Sequence, residues 1–349
     1  MYNWRVFGAL FLLGAVPGAA VTIKDPTSAG GSAYYNIPDS ASNAFNGIGL
    51  INGAGACTGF AISSTTVLTA AHCIGGLNQV TFWLPDTSVA GFSPFIFTPD
   101  SVLVNPLFNS ANLSNGYDIA TLKFNTPLPN TVNVYPVYQS PIASPTLFEL
   151  FGRGRCGDGA TGAVAQGNVF DPCASGIDLH RAANRYDELL NNRVLLFDFV
   201  DDYNAKTATA GGVNCATTSA LCFINHFDYG NKDSGANALN GKQGISIYGD
   251  SGGPSLINVG GSYFSVGLHS FIGCTDFPCV NPPDAHVAVD KNPDGSFGEY
   301  AGDTALYAFT NFIATGENVP EPAVWMTVAA GLVLVTRIRR RQHSRKHFD

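Results

Sequence analysis

Gly249-Asp250-Ser251-Gly252-Gly253-Pro254 is the stretch on which the reading of this 349-residue chain turns. Glycines around a single serine let the backbone turn sharply and approach a carbonyl group closely. In such a turn the N–H groups of Gly249 and Ser251 can point at one position and receive an oxyanion there. Pro254 opens an apolar run to Val259 that reads as a strand. Alone, the match is no more than a glycine-rich turn ahead of a strand. A serine hydroxyl becomes a nucleophile only beside a base, and a carboxylate is needed to orient that base.

Both partners occur upstream, in the order His, Asp, Ser. Val67-Leu68-Thr69-Ala70-Ala71-His72-Cys73 ends an apolar run in a histidine. A histidine in that position is more often a packed or surface residue, but its context is specific. Cys57 lies sixteen residues before Cys73, across a strand, a turn at Ser63–Thr66 and a second strand. A disulfide between them would tie the hairpin and fix the loop bearing His72. Gly116-Tyr117-Asp118-Ile119-Ala120 places an aspartate at the mouth of another apolar strand, 46 residues after His72. Such an aspartate is often only a turn residue.

Together the three motifs resemble those of the chymotrypsin/trypsin-like serine proteases: Ala-Ala-His-Cys, Asp-Ile-Ala and Gly-Asp-Ser-Gly-Gly-Pro, in that order. The resemblance implies an all-β fold of two perpendicular Greek-key six-stranded β-barrels with a C-terminal helix, the site lying between the barrels. It implies His72 as general base, Asp118 as its orienter, Ser251 as nucleophile, and Gly249 and Ser251 as the oxyanion hole. Ser270-Phe271 resembles the family's Ser-Trp pair that lines the substrate strand, with Ser270 hydrogen-bonded to Asp118.

The chain departs from the family pattern in three places. No Ile-Val-Gly-Gly-like start precedes Cys57. In the family a new N-terminal amine pairs with the aspartate at Asp250. Val21 can serve after signal cleavage, but it lies further upstream than the pattern expects. Ile245 stands six residues before Ser251, where trypsin-like members carry an aspartate. A specificity pocket of Ile245, Ser246, Ser270 and Phe271 predicts a preference for uncharged, apolar side chains, because an apolar floor cannot compensate a buried cation. Finally, 133 residues separate Asp118 from Ser251, roughly 40 more than a compact single domain of this kind needs, which places an insertion within 150–243.

Composition agrees with an exported protein. Apolar residues make up 45 % and charged residues 13 %, too apolar for a disordered chain. The 39 glycines and 20 prolines favour a loop-rich β protein. Residues 1–20 read as a signal peptide, with Arg5, an apolar stretch from Val6 to Val16 and small residues before Val21. Val319-Pro320-Glu321-Pro322, the apolar run Ala323–Thr336 and the basic cluster from Arg337 to Lys346 resemble a PEP-CTERM sorting signal. That resemblance implies an exosortase partner and transient residence in the inner membrane through a short helix at 323–338. It also implies a final place in the periplasm, at the cell surface or in the extracellular matrix of a Gram-negative bacterium. A plain C-terminal anchor is the alternative. The overall charge of -8 conceals this tail. Residues 21–319 hold 11 basic and 24 acidic residues, a net of -13, which argues against a nucleic-acid partner.

Eight cysteines in an exported chain suggest disulfides. Beyond Cys57–Cys73, nearest-neighbour pairings are Cys156–Cys173, Cys215–Cys222 and Cys274–Cys279. No cofactor and no metal site is expected. Asp290-Lys291-Asn292-Pro293-Asp294-Gly295 matches half a calcium loop, but Ala301 stands where its closing glutamate belongs, so a solvated turn is the better reading. Strands are expected at Gln79–Leu84, Ser101–Val104, Ile119–Phe124, Val132–Tyr138, Val194–Val200, Pro254–Val259 and Tyr263–Phe271, and helices at Arg181–Arg193 and Asp303–Ala314. The whole reads as an exported serine endopeptidase acting on protein or peptide substrates through an acyl-enzyme. The alternative is a catalytically weak or inactive surface or matrix binding protein on the same fold.

Overall fold

Short β-branched and aromatic runs bounded by turn residues become strands almost throughout. The computed structural model describes residues 21–23, 34–39, 43–53, 56–74, 80–85, 94–143, 146–154, 157–159, 162–163, 179–199, 209–210, 213–214, 239, 242–274, 295 and 299–316. In chain order the strands begin with β1 (Thr22–Ile23), β2 (Asn36–Ile37), β3 (Ile48–Asn52), β4 (Ala56–Ser63), β5 (Thr66–Thr69), β6 (Thr81–Pro85) and β7 (Pro94–Phe97). They continue as β8 (Ser101–Val104), β9 (Ala120–Lys123), β10 (Leu147–Gly152), β11 (Gly157–Asp158), β12 (Gly162–Ala163), β13 (Leu179–Arg185) and β14 (Glu188–Leu190). The last are β15 (Val194–Phe199), β16 (Thr209–Ala210), β17 (Val213–Asn214), β18 (Gly244–Ile245), β19 (Pro254–Val259), β20 (Ser262–Cys274) and β21 (Glu299–Ala305).

Two large antiparallel sheets curl like half-barrels, as the all-β expectation requires. The first has the order β7-β6-β3-β4-β5-β9-β8, and the second β14-β15-β21-β20-β19-β10-β13-β2. Six strands apiece were expected; the first sheet has seven and the second eight, including the two short edge strands β14 and β2. The first buries Ile48, Ile51, Phe60, Val67, Leu68, Phe82 and Leu122. The second packs Phe148, Leu150, Leu195, Phe197, Phe199 and Val266 around Tyr186, whose ring stacks on Phe148 at 4.0 Å between centroids. A small sheet, β12-β11-β1-β18, ties the start of the chain to the segment before Ser251.

Three sequence expectations fail. Arg181–Arg193, expected as a helix, forms β13 and β14. Strand β13 is locked by a six-residue antiparallel register with β10, from Leu147↔Arg185 to Gly152↔His180. Asn191 and Asn192 both have positive φ, 52° and 58°, and turn β14 back onto β15. Two left-handed residues in succession are the signature of a type I′ hairpin turn, which asparagine tolerates. The Asn-Asn pair was the missed signal. The second failure is Asp303 as a helix cap: it lies inside β21, opposite His269. Helical structure begins three residues later, as a 3-10 turn at Leu306–Phe309 leading into α1 (Thr310–Thr315). Val132–Tyr138 is not a strand either. It runs between the two sheets, giving its Tyr135 N–H to Ala61 of β4 at 2.8 Å and its Tyr138 N–H to Ser265 of β20 at 2.9 Å.

The chain divides into two compact units, Met1–Thr310 and Asn311–Asp349. In the second, the helix closes with the Gly316 N–H on the Phe312 carbonyl, 2.7 Å. Among the described residues no helix is long and apolar enough to cross a membrane. Residues 1–20 and 320–349, with the signal and sorting readings made for them, lie outside the described residues.

Candidate active site

Strand register brings His72 to Asp118. Strands β5 and β9 run antiparallel, with Thr69 opposite Ala120. Residues just after Thr69 therefore face residues just before Ala120. His72 sits in a single 3-10 turn, Ala71–Cys73, and the disulfide Cys57–Cys73 pins that turn to β4. The Asp118 carboxylate is fully buried and receives three contacts. The His72 backbone N–H donates to Oδ1 at 2.9 Å, His72 Nδ1 lies 2.7 Å from Oδ2, and the Ser270 hydroxyl donates to Oδ2 at 2.6 Å. The ring is thereby fixed with Nδ1–H toward the carboxylate and Nε2 free for exchange. The His72 side chain is 28 % exposed.

Ser251 is presented by a loop tied to both sheets. Thr58 of β4 donates its N–H to the Ser251 carbonyl and its hydroxyl to the Gly249 carbonyl, both at 2.9 Å. On the other side, the Gly252 N–H donates to the His269 carbonyl at 2.7 Å, and the His269 N–H to the Gly253 carbonyl at 2.9 Å. With its carbonyls occupied, the loop turns its amides the other way. Among the described residues, neither the Gly249 nor the Ser251 N–H has an internal acceptor. Gly249 has φ 93°, and a Cβ there would come within 2.5 Å of the Gly154 Cα, so no other residue fits this turn without strain.

Between those amides Asp250 points inward. Its carboxylate is fully buried and accepts N–H groups from Val21 (2.9 Å), Ile247 (2.7 Å) and Gly154 (3.0 Å). A Cβ on Gly152 would lie 1.9 Å from Asp250 Oδ1; the space that glycine leaves is filled by the carboxylate. Burial pushes the Asp250 carboxyl up to about 6, against the pull of the N–H donors and of His269. The sequence left open whether Val21, further upstream than the family pattern expects, meets this aspartate. Strand β1 pairs with β11 and β18, and that small sheet delivers the Val21 nitrogen to it. Next to Gly152 and Gly154, buried Arg153 grips Asp39 with its guanidinium and donates from Nε to the Ile48 carbonyl at 2.8 Å. The sequence reading had not singled it out.

A cavity of about 250 Å³ joins these parts, with His72, Ser246, Ser251, His269, Ser270 and Phe271 in its wall beside Leu113, Ile247, Tyr248 and Ile272. Ser246, Ser270 and Phe271 line it. Ile245 does not. It is held in β18 opposite Thr22 and is fully buried in the apolar core with Val21 and Ile23. His269 was missed, although Leu268-His269-Ser270 puts a histidine beside the serine that was singled out. A polar residue in the apolar strand Tyr263–Phe271 was the available signal.

Cys57, His72 and Cys73 have potential metal-ligand atoms within 4.8 Å of one another, but the two sulfurs are bonded to each other, which leaves His72 alone as a donor. Cys156, Cys173, Cys215, Cys222 and Cys279 lie outside the described residues, as do 290–294 of the half calcium loop. The pairings suggested for those cysteines and for Cys274 fall there too.

A family model described as Trypsin matches residues 38–168. The match covers a little over a third of the chain. It spans the His72 and Asp118 motifs and ends before Ser251. With the curled antiparallel sheets, it supports a chymotrypsin/trypsin-like serine-protease fold.

Proposed function

We propose that the protein is an exported serine endopeptidase whose catalytic residues are His72, Asp118 and Ser251. The observation that carries this reading is the buried Asp118 held 2.7 Å from His72 Nδ1, with Ser251 on the wall of the cavity into which His72 opens. The Ser251 hydroxyl oxygen attacks the peptide carbonyl carbon and passes its proton to His72 Nε2. Asp118 holds the ring and balances the imidazolium charge. The carbonyl oxygen becomes an oxyanion and receives the Gly249 and Ser251 N–H groups. His72 returns the proton to the leaving nitrogen as the C–N bond breaks, which leaves an acyl-enzyme. Water then attacks the ester with His72 again taking the proton, the acid product leaves, and Ser251 recovers its hydrogen.

Export and activation are linked in this reading. Signal cleavage after Ala20 turns the Val21 peptide nitrogen into an ammonium, already 2.9 Å from Asp250. The buried carboxylate gains a countercharge, and the loop that aims the Gly249 and Ser251 amides is held in place. Residues 320–349 act as a sorting signal removed by an exosortase-type enzyme, and the insertion within 150–243 decorates the protease domain.

The direct test is labelling of mature protein with a fluorophosphonate, read by peptide mapping, together with casein hydrolysis by the parent and by Ser251→Ala. Labelling at Ser251 and loss of hydrolysis in the variant are expected. A folded mature protein that takes no label overturns the mechanism.

A further inference from the structure

The second sheet holds Asp118 at its own atoms, through the Ser270 hydroxyl on Oδ2 and the Thr304 hydroxyl on its carbonyl. The loop before it closes largely on itself. The Asn112 N–H donates to the Asn109 carbonyl and the Gly116 N–H to the Leu113 carbonyl, both at 3.0 Å. Arg193 ties this loop to the second sheet, from the end of the Asn191–Asn192 turn between β14 and β15. Its Nε donates to the Asn115 carbonyl at 3.2 Å, and its guanidinium lies over the Tyr117 ring, 4.7 Å from the centroid. Phe309 meets the same ring edge-on at 5.9 Å. The approach is close: a Cβ on Gly116 would lie 2.7 Å from Arg193 Cβ. Arg193 is itself fixed. Its N–H donates to the Leu190 carbonyl at 3.1 Å and its carbonyl accepts the Ala305 N–H at 2.8 Å. The Tyr307 hydroxyl donates to the Asn192 carbonyl beside it at 3.1 Å. Although this hairpin falls within 150–243, it belongs to the second sheet.

Resting on the peptidase reading above, we propose that Arg193 is a positioning residue of the His72–Asp118 pair: from the second sheet it fixes the loop that carries Asp118 out of the first. Among the described residues no carboxylate pairs with its guanidinium, so its donors and its flat face serve the loop rather than a countercharge. It grips the residues one and three places before Asp118. Asp118 in turn aims the His72 ring, 2.7 Å away, while the Ser251 loop is tied to both sheets. The ring and the serine hydroxyl therefore meet only when the Asp118 loop stands at one place against the second sheet. A displacement of about 1 Å at such a pair costs about 100-fold in rate. The same loop supplies Leu113 to the cavity wall. A lysine does not reproduce the grip. Its ammonium keeps the charge but has neither an Nε–H at that point of the stem nor a plane to lay on the ring.

The test is a double-mutant cycle of Arg193→Lys and Tyr117→Leu in the mature chain. It is read by kcat and KM on the best-cleaved of the p-nitroanilides Ac-Ala-Ala-Pro-X, with X = Phe, Leu, Glu or Arg. A second readout is the proton NMR line of His72 Nδ1–H, assigned by its absence in His72→Ala. Each single variant should lower kcat about tenfold, the worth of one charged hydrogen bond. KM should stay within about twofold, since the loss falls on the reacting groups rather than on binding. The double variant should be no worse than about tenfold below the parent, because both changes remove one contact. The Nδ1–H line should shift or broaden in both. A kcat within about twofold of the parent in Arg193→Lys, with or without a lower urea midpoint, overturns the assignment, as do losses that multiply in the double variant. If Arg193→Lys does not fold, Tyr117→Leu, which leaves the hairpin untouched, decides: an unchanged kcat overturns the assignment. If the parent cleaves neither anilide nor casein and the Nδ1–H line still changes in both variants, the peptidase reading fails and the positioning role stands. If the parent is active and both kcat and the line are unchanged in the variants, the reverse holds.

Discussion

His72–Asp118 and His269–Asp303 are built from the same parts. Each imidazole holds its Nδ1 2.7 or 2.8 Å from a fully buried carboxylate. Each carboxylate also takes a serine hydroxyl at 2.6 Å, from Ser270 in one pair and Ser255 in the other. The pairs share strands as well. His269 and Ser270 are neighbours on β20, and Asp303 and Thr304 are neighbours on β21, where the Thr304 hydroxyl donates to the Asp118 carbonyl at 3.2 Å. A β-bulge allows this: His269 is paired with Asp303 and Phe271 with Gly302, so Ser270 is the extra residue and is re-aimed toward Asp118. The difference lies in access to water. The His72 side chain is 28 % exposed and His269 is 1 % exposed. A ring that meets solvent and substrate can take up and release a proton in each turnover. A ring sealed from solvent, with its Nδ1 on a buried carboxylate, has no such path for proton exchange.

The sharpest way to break this division is to neutralise each carboxylate in turn. Asp118→Asn should lower kcat by about 10⁴-fold, the cost of holding a catalytic histidine in the wrong tautomer. Asp303→Asn should leave kcat within about tenfold of the parent and lower the urea midpoint instead, since one buried hydrogen bond is worth far less to the rate than the orienter of a general base. Equal losses of kcat would end the distinction between a catalytic and a structural pair.

The third buried carboxylate, Asp250, gives the next largest effects. Removing the partner of a buried charge costs about 3–5 kcal/mol. A form carrying one methionine before Val21 should therefore be at least about 100-fold weaker in kcat/KM than the form that begins at Val21. Its stability should also respond to pH in a definite sense. Burial raises the Asp250 carboxyl from 3.8 to about 6, so the folded blocked form holds that proton more tightly than the unfolded chain. The resulting stabilisation is complete below pH about 4 and is lost as pH rises through about 6, a change of about 3 kcal/mol. Urea midpoints of the blocked form should fall across this range relative to those of the free Val21 form, whose ammonium lowers Asp250. Parallel curves would show that the amine does not reach the carboxylate.

The smallest test compares the two serine hydroxyls. Ser270→Ala and Ser255→Ala each remove one donor from a buried carboxylate, worth about 1–2 kcal/mol. The first should appear as roughly a tenfold loss of kcat. The second should appear in the urea midpoint, with kcat held.

How much of this was legible varied with the range of the interaction. Ser101–Val104 and Pro254–Val259 were read with the strand bounds they have, because alternation and turn residues are local signals. His72, Asp118 and Ser270 were placed together from three separate motifs, and register and hydrogen bonds join them. The Arg181–Arg193 segment was misread because its composition favours a helix while the β10 register imposes a strand. Val21 was left open because separation along the chain says nothing about where a small sheet brings its ends. Ile245 was misplaced because its position was counted from Ser251, whereas β18 turns it into the core.

By itself, the sequence determined the all-β class and the pairing of Cys57 with Cys73 and singled out His72, Asp118 and Ser251 as candidates, since each is written in a motif or in a local pattern of apolar and turn residues. Only the tertiary structure decided that Val21 meets Asp250, that Ile245 leaves the cavity, and that His269 enters its wall with one nitrogen unpaired. Those outcomes depend on strands brought together from distant parts of the chain, 229 residues apart for Val21 and Asp250. Burial and the supply of hydrogen-bond partners at a site of that kind exist only once the sheets have closed.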